Sequence, residues 1–128
     1  MKPRLVAISG PLEGQLIELS KTEVTTVGRD PENFVHIEDD LVSRRHCEIR
    51  WENEEFEIRD LESRNETLVN GVPVDAQLLR YGDRIEMGYS RFYFYIFESE
   101  DMPADEMRLE TVQDSEAEIA RTVRWLQV

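Results

Sequence analysis

Four short stretches of this 128-residue chain carry side chains suited to holding an anion. Gly28-Arg29 sets a residue that permits close backbone approach and unusual φ beside a guanidinium, whose planar fork of donors fits phosphate oxygens. Ser43-Arg44-Arg45-His46 places a small hydroxyl donor next to two guanidiniums, and a doubly charged tetrahedral anion needs several such convergent donors. The polar run Asp60-Leu61-Glu62-Ser63-Arg64-Asn65-Glu66-Thr67 contains an amide, Asn65, able to donate to and accept from a peptide main chain. Asn70-Gly71 is the pair preferred in a two-residue type I′ hairpin turn. Each stretch also has a plainer reading: a turn glycine with a surface arginine, a solvated charged face, a generic loop, a turn.

Catalysis finds little material. His46 and Cys47 are adjacent on an expected strand and point to opposite sides, so they form no Cys–His dyad. His46 reads as a structural imidazole that braces loops by hydrogen bonds. Two histidines and one cysteine, without clustered ligand spacing or a phosphate-binding glycine loop, give no expectation of an enzyme, a metal site or a cofactor.

The formal charge of −13 argues against general nucleic-acid binding, which needs a cationic footprint. It does not argue against a phosphate ligand. With a Debye length of about 8 Å at physiological salt, a ligand feels its immediate neighbours more than the total, and the arginines cluster locally. No apolar run is long enough for a membrane span, and none at the start suits a signal peptide. Cys47 is alone, so no intramolecular disulfide is expected and a reducing cytoplasm fits best.

These stretches lie between short apolar-alternating runs. Arg4 to Ser9, Gln15 to Leu19, Val24 to Val27, Val35 to Ile37, His46 to Trp51 and Phe56 to Arg59 read as strands. So do Leu68-Val69 against Val72 to Val74, Arg84 to Met87, and Phe92 to Phe97. Turns are expected at 10–14, at Asn53-Glu54, at Asn70-Gly71 and at Tyr81-Gly82-Asp83. Closely spaced strands with no helix among them predict an all-β domain over residues 1–98, two antiparallel sheets packed as a β-sandwich, with loops gathered at its ends.

From residue 99 the composition turns acidic, as in a solvated linker. Ile119, Val123 and Leu126 then recur at helical spacing, and Ser115 with Glu118 fits a capping box, so residues 99–128 are expected to be a linker with a short amphipathic helix. Such a helix is marginal alone and should pack on the sandwich, a second copy or a following domain.

Gly28-Arg29, Ser43-x-x-His46, and Asn65 with Asn70-Gly71, in this order on closely spaced strands, resemble the forkhead-associated (FHA) family. Residues 41–49 and 60–71 match the family's core lines almost throughout, and the resemblance covers roughly residues 4–98. It implies an FHA/SMAD-like sandwich of about eleven strands and recognition of phosphothreonine-containing proteins or peptides in signalling or transcriptional regulation of the bacterial type. By the same resemblance Arg29 would bond phosphate and support the peptide backbone, Ser43 would donate its hydroxyl, Arg44 would add a contact, and Asn65 would grip the peptide main chain. Gly28 and His46 would shape the loops.

Two positions depart from the family's S-T-N-G-T run. Arg64 stands where the family usually has a threonine that contacts phosphate, and could replace it with a longer cationic donor or swing into solvent. Glu66 replaces a glycine suited to positive φ and puts an anion near an anion site. A different class of function, a phosphate-independent scaffold or dimerisation module with a degenerate pocket, would use the same sandwich. Thr111 with Asp114 three residues later offers one route to self-association through the tail, if a kinase modified it.

Overall fold

The computed structural model describes residues 2–97. The linker and helix expected at 99–128, with Thr111, lie outside the described residues. Eleven strands follow one another: β1 (Lys2–Ser9), β2 (Leu16–Glu18), β3 (Thr25–Gly28), β4 (Val35–His36), β5 (Cys47–Glu52), β6 (Glu55–Asp60), β7 (Leu68–Val69), β8 (Val72–Pro73), β9 (Ala76–Leu78), β10 (Arg84–Met87) and β11 (Ser90–Phe97). They make two sheets, one ordered β2-β1-β11-β10-β7-β8 and the other β4-β3-β5-β6-β9, and the domain is an all-β sandwich. No helix occurs among the described residues.

Alternation builds the core. Along β5 and β6 the inward residues Cys47, Ile49, Phe56 and Ile58 are buried, while Glu48, Arg50, Glu57 and Arg59 face outward at least in part. Ile85 and Phe92 of the opposing sheet join the same cluster. The unbroken apolar run of β11 has a separate cause. Phe92 and Phe94 enter the main core, whereas Tyr93, Tyr95 and Phe97 form a second buried cluster with Val6 on the other face. A strand covered on both faces has no reason to alternate.

Hairpin chemistry fixes register where it matters. Asn53 and Glu54 both have positive φ, as do Asn70 and Gly71, which is the backbone demanded by a type I′ turn. The first pair closes β5 on β6 in the register Glu52↔Glu55, and the second closes β7 on β8 in the register Val69↔Val72.

Two features lie outside the sequence pattern. All pairings are antiparallel except β3 with β4, which run parallel through Val27↔Val35 and Gly28↔His36. Strand β9, an edge strand on β6, is exposed at all three positions, so its residues carry no alternation to announce it.

Candidate functional site

Sheet ends bring three loops together, and the loops after β3 and β6 are both tied to the segment Leu41–Ser43 of the loop between β4 and β5. The first follows β3. Gly28 is buried, and a Cβ there would collide with the carbonyl oxygen of Arg44 and crowd the Asn33 amide, so glycine is needed for close approach rather than for positive φ. The adjoining backbone zips to the loop between β4 and β5: Arg29 N–H donates to the Ser43 carbonyl at 2.9 Å and Asp30 N–H to the Arg44 carbonyl at 3.1 Å. Asn33 Nδ2 donates to the carbonyls of Asp30 and Arg44, at 2.8 and 2.7 Å. Arg29 Nε donates to the Val42 carbonyl at 3.0 Å, which orients the guanidinium and leaves its terminal N–H donors for an external acceptor.

The second loop runs from β4 to β5. His46 is fully buried. Its Nδ1 accepts the Ser43 N–H at 3.0 Å, so the ring proton sits on Nε2 and is donated to the Glu66 carbonyl at 2.8 Å. One imidazole thus joins the loop carrying Ser43 to the loop carrying Asn65.

The third loop joins β6 to β7. Arg64 N–H donates to Ser43 Oγ at 3.0 Å, and Asn65 Nδ2 donates to the Leu41 carbonyl at 2.9 Å. Beneath it, Asp60 accepts the Ser63 N–H at 3.0 Å, the Ser63 hydroxyl, and the Thr67 hydroxyl at 2.7 Å. Partial burial acts to raise the Asp60 carboxyl, but these donors outweigh it and hold the group below the usual carboxylate range. Next to it the Cys47 thiol is pushed far up, by burial first and then by the charge of Asp60, and stays protonated and unreactive. Glu66 has φ of +66°, so the glutamate occupies a left-handed backbone position that glycine adopts without strain.

The arrangement therefore brings Arg29, Ser43, Arg64 and Asn65 to one cluster of loops, with Gly28 and His46 inside it. Arg29, Arg44, Arg45 and Arg64 are exposed, and none forms an ion pair among the described residues. Elsewhere Arg4, Arg50, Arg59 and Arg84 each pair with a glutamate. Uncommitted guanidiniums in an acidic molecule, beside a hydroxyl and an amide held in place, can grip a dianion locally. Asn70 and Gly71 stand apart from this cluster. Asn70 Oδ1 accepts the Arg84 N–H and its Nδ2 donates to Asp83, so this turn is fastened to the start of β10.

Sequence patterns did not single out Asn33, Asp39 or Asp60. Asp30-Pro31 was a turn signal for the first of them. Asp39 is buried, accepting the Leu41 N–H at 2.9 Å and the Tyr89 N–H at 2.7 Å, a pairing across fifty residues that no local pattern announces. No group of three or more histidine, cysteine or carboxylate side chains able to hold a metal occurs among the described residues. Nor, among them, is any helix long and apolar enough to cross a membrane.

The model of the FHA domain family matches residues 25–88, half of the chain. The chain belongs to the forkhead-associated family. Its FHA domain is similar to a solved structure from work on phosphothreonine-dependent FHA domain interactions, at 30% identity and a TM-score of 0.68, over 77% of this chain and 100% of that one. Among curated proteins it is 41% identical to the glycogen accumulation regulator GarA of Mycobacterium tuberculosis, over 70% of this chain and 55% of the relative. It is 42% identical to the oxoglutarate dehydrogenase inhibitor of Corynebacterium glutamicum, over 70% of this chain and 62% of the relative. The chain thus spans little more than half the length of the curated relatives it matches.

Proposed function

We propose that this FHA domain binds phosphothreonine-containing segments of partner proteins, with Arg29 and Ser43 on the phosphate, Arg44 and Arg64 adding positive charge, and Asn65 on the peptide main chain. The observation that carries the reading is the convergence of two loops, through Arg29 and through Arg64 and Asn65, on Leu41–Ser43 of a third. It favours a preformed grip over a degenerate pocket, because the side chains of Arg29, Ser43 and Asn65 are each already held by a bond to protein. Preorganisation lowers the cost of ordering the loops on binding.

Magnitudes set the design. A hydrogen bond to a charged group contributes about 1.5–3 kcal/mol, and association costs at least about 4 kcal/mol. Phosphate contacts alone thus give weak binding. The grip on the main chain and contacts with flanking residues must supply the rest. Affinity should be highest when the phosphate is a dianion, above a second pKa of about 6.

The relatives' names speak of regulating glycogen accumulation and of inhibiting oxoglutarate dehydrogenase. They favour a setting in which this domain controls a metabolic enzyme through phosphorylation over one in transcription. A degenerate phosphothreonine peptide library, screened with the native protein and with Arg29→Ala, tests the reading. Selection of phosphothreonine by the native protein and its loss in the variant support it; equal recovery of unphosphorylated peptides refutes it.

A further inference from the structure

We infer that the outer face of the sheet β2-β1-β11-β10 is a docking surface for this chain's own C-terminal segment, residues 115–128, laid across it as a helix. Residues paired in an antiparallel ladder share a face. The registers Leu16↔Val6, Val6↔Tyr93, Arg4↔Tyr95 and Lys2↔Phe97 therefore put Leu16, Val6, Arg4, Tyr93, Tyr95 and Phe97 on one side. The other side, with Leu5, Ala7, Phe92 and Phe94, meets the second sheet in the main core.

The outer face of a two-layer antiparallel sandwich ordinarily meets water. Here Val6, Tyr95 and Phe97 are 0% exposed, Arg4 3% and Tyr93 4%. Their described neighbours do not account for this. The apolar groups packed against the cluster are Ile8 and Leu16 of the same sheet and Tyr81, whose ring meets Tyr95 edge-on at 4.5 Å between centroids. The Arg4 guanidinium lies 5.4 Å from the Phe97 ring centroid and pairs with Glu18 at 3.1 Å. All eleven strands are already committed to the two sheets. A cover over three aromatic rings, each with about 150–250 Å² to bury, has to come from outside residues 2–97. Met1 is too small to be it.

Length, pattern and charge name the occupant. Phe97 ends β11 and belongs to the cluster, so the chain continues from the edge of this very face. The stretch of about 17 residues from Glu98 to Asp114 can reach about 55 Å. Strand β11, with 8 residues, is only about 27 Å long, so a return across the sheet is within reach. A helix over residues 115–128 would run about 21 Å, and Ile119, Val123 and Leu126 share one of its faces. Lys2, Arg4, Arg84 and Arg91 stand on the sheet face, while residues 98–118 carry nine carboxylates against one arginine. The burial is complete within one chain, so no second copy is called on.

Nuclear magnetic resonance on the full chain tests this. Overhauser contacts should join the rings of Tyr95 and Phe97 to methyl groups of Ile119, Val123 or Leu126. In a mixture of differently labelled chains these contacts should stay within each chain. Val123→Asp combined with Leu126→Asp should erase them and raise the fluorescence of a dye that binds apolar surface several-fold, with the β-sheet circular dichroism unchanged. Three results would each overturn the inference: no contact between those rings and the segment in the native protein, contacts found only between chains, or unchanged dye binding in the folded double variant. If the double variant unfolds, the contacts in the native protein decide alone.

Discussion

The main-chain N–H of Arg64 lies 3.0 Å from Ser43 Oγ and donates to it. A hydroxyl that accepts from the protein on one lone pair keeps its own proton to give elsewhere. The serine is therefore both a strut between two loops and a donor aimed by that strut. Replacing it with alanine should weaken phosphopeptide binding by about tenfold to a hundredfold, the worth of one hydrogen bond to a charged group. Titration of one phosphothreonine peptide into both proteins measures this, and a weakening under threefold would remove Ser43 from the phosphate contacts.

His46 works where no ligand reaches. Its ring satisfies the Ser43 N–H and the Glu66 carbonyl inside the fold. His46→Ala should leave both groups unpaired beside a cavity and lower stability by about 2–5 kcal/mol. Urea denaturation of the two proteins gives the number. A loss under 1 kcal/mol would mean that the loops hold without it.

Asp60 makes stability depend on pH in a definite direction. Its folded carboxyl is held below the unfolded value of 3.8, so it binds a proton less readily in the native state. The stabilisation is present above the unfolded value and disappears as pH falls through the lower folded one. The stability difference between the native protein and Asp60→Asn should be constant near neutrality and shrink below about pH 4. Denaturation across that range checks the sign; a difference that grows on acidification contradicts it.

Glu66 occupies a left-handed position at φ +66°. Glu66→Gly relieves that strain, partly offset by the greater freedom of glycine in the unfolded chain, and should raise stability by up to about 1 kcal/mol. It also removes a carboxylate from the loop of Arg64 and Asn65. Phosphopeptide affinity should rise, with the gain fading as salt increases. Thermal unfolding and titrations at two salt concentrations measure both effects.

How far the chain could be read from its letters differed by kind of feature. Ten of the eleven strands lay in runs of alternating or continuous apolar residues, and the Asn70-Gly71 hairpin followed from the need for positive φ at both central positions, whereas Asn53-Glu54 was legible only as a turn. β9 did not, because all its residues are exposed on an edge. The polar residues of the site were legible by type: guanidinium, hydroxyl and amide in loops. Their supports were not. Asn33 bridging to Arg44, Asp60 beneath its loop, and Asp39 reaching Tyr89 depend on contacts between segments that only the packed sheets bring together. Of the two reasons for a glycine at position 28, close backbone approach is the one at work, against Arg44, and φ is not.

Calorimetric titration of Arg29 against alanine at that position, with one peptide in phosphorylated and unphosphorylated forms, asks whether a local cationic nest operates within a chain of net charge −13. The native protein should bind the phosphorylated form at least about a hundredfold more tightly, the worth of two hydrogen bonds to a charged group at the low end of their range, and Arg29→Ala should bind neither. Equal heats and equal affinities for the two forms, with the native protein folded, would show that the converging loops do not hold a phosphate.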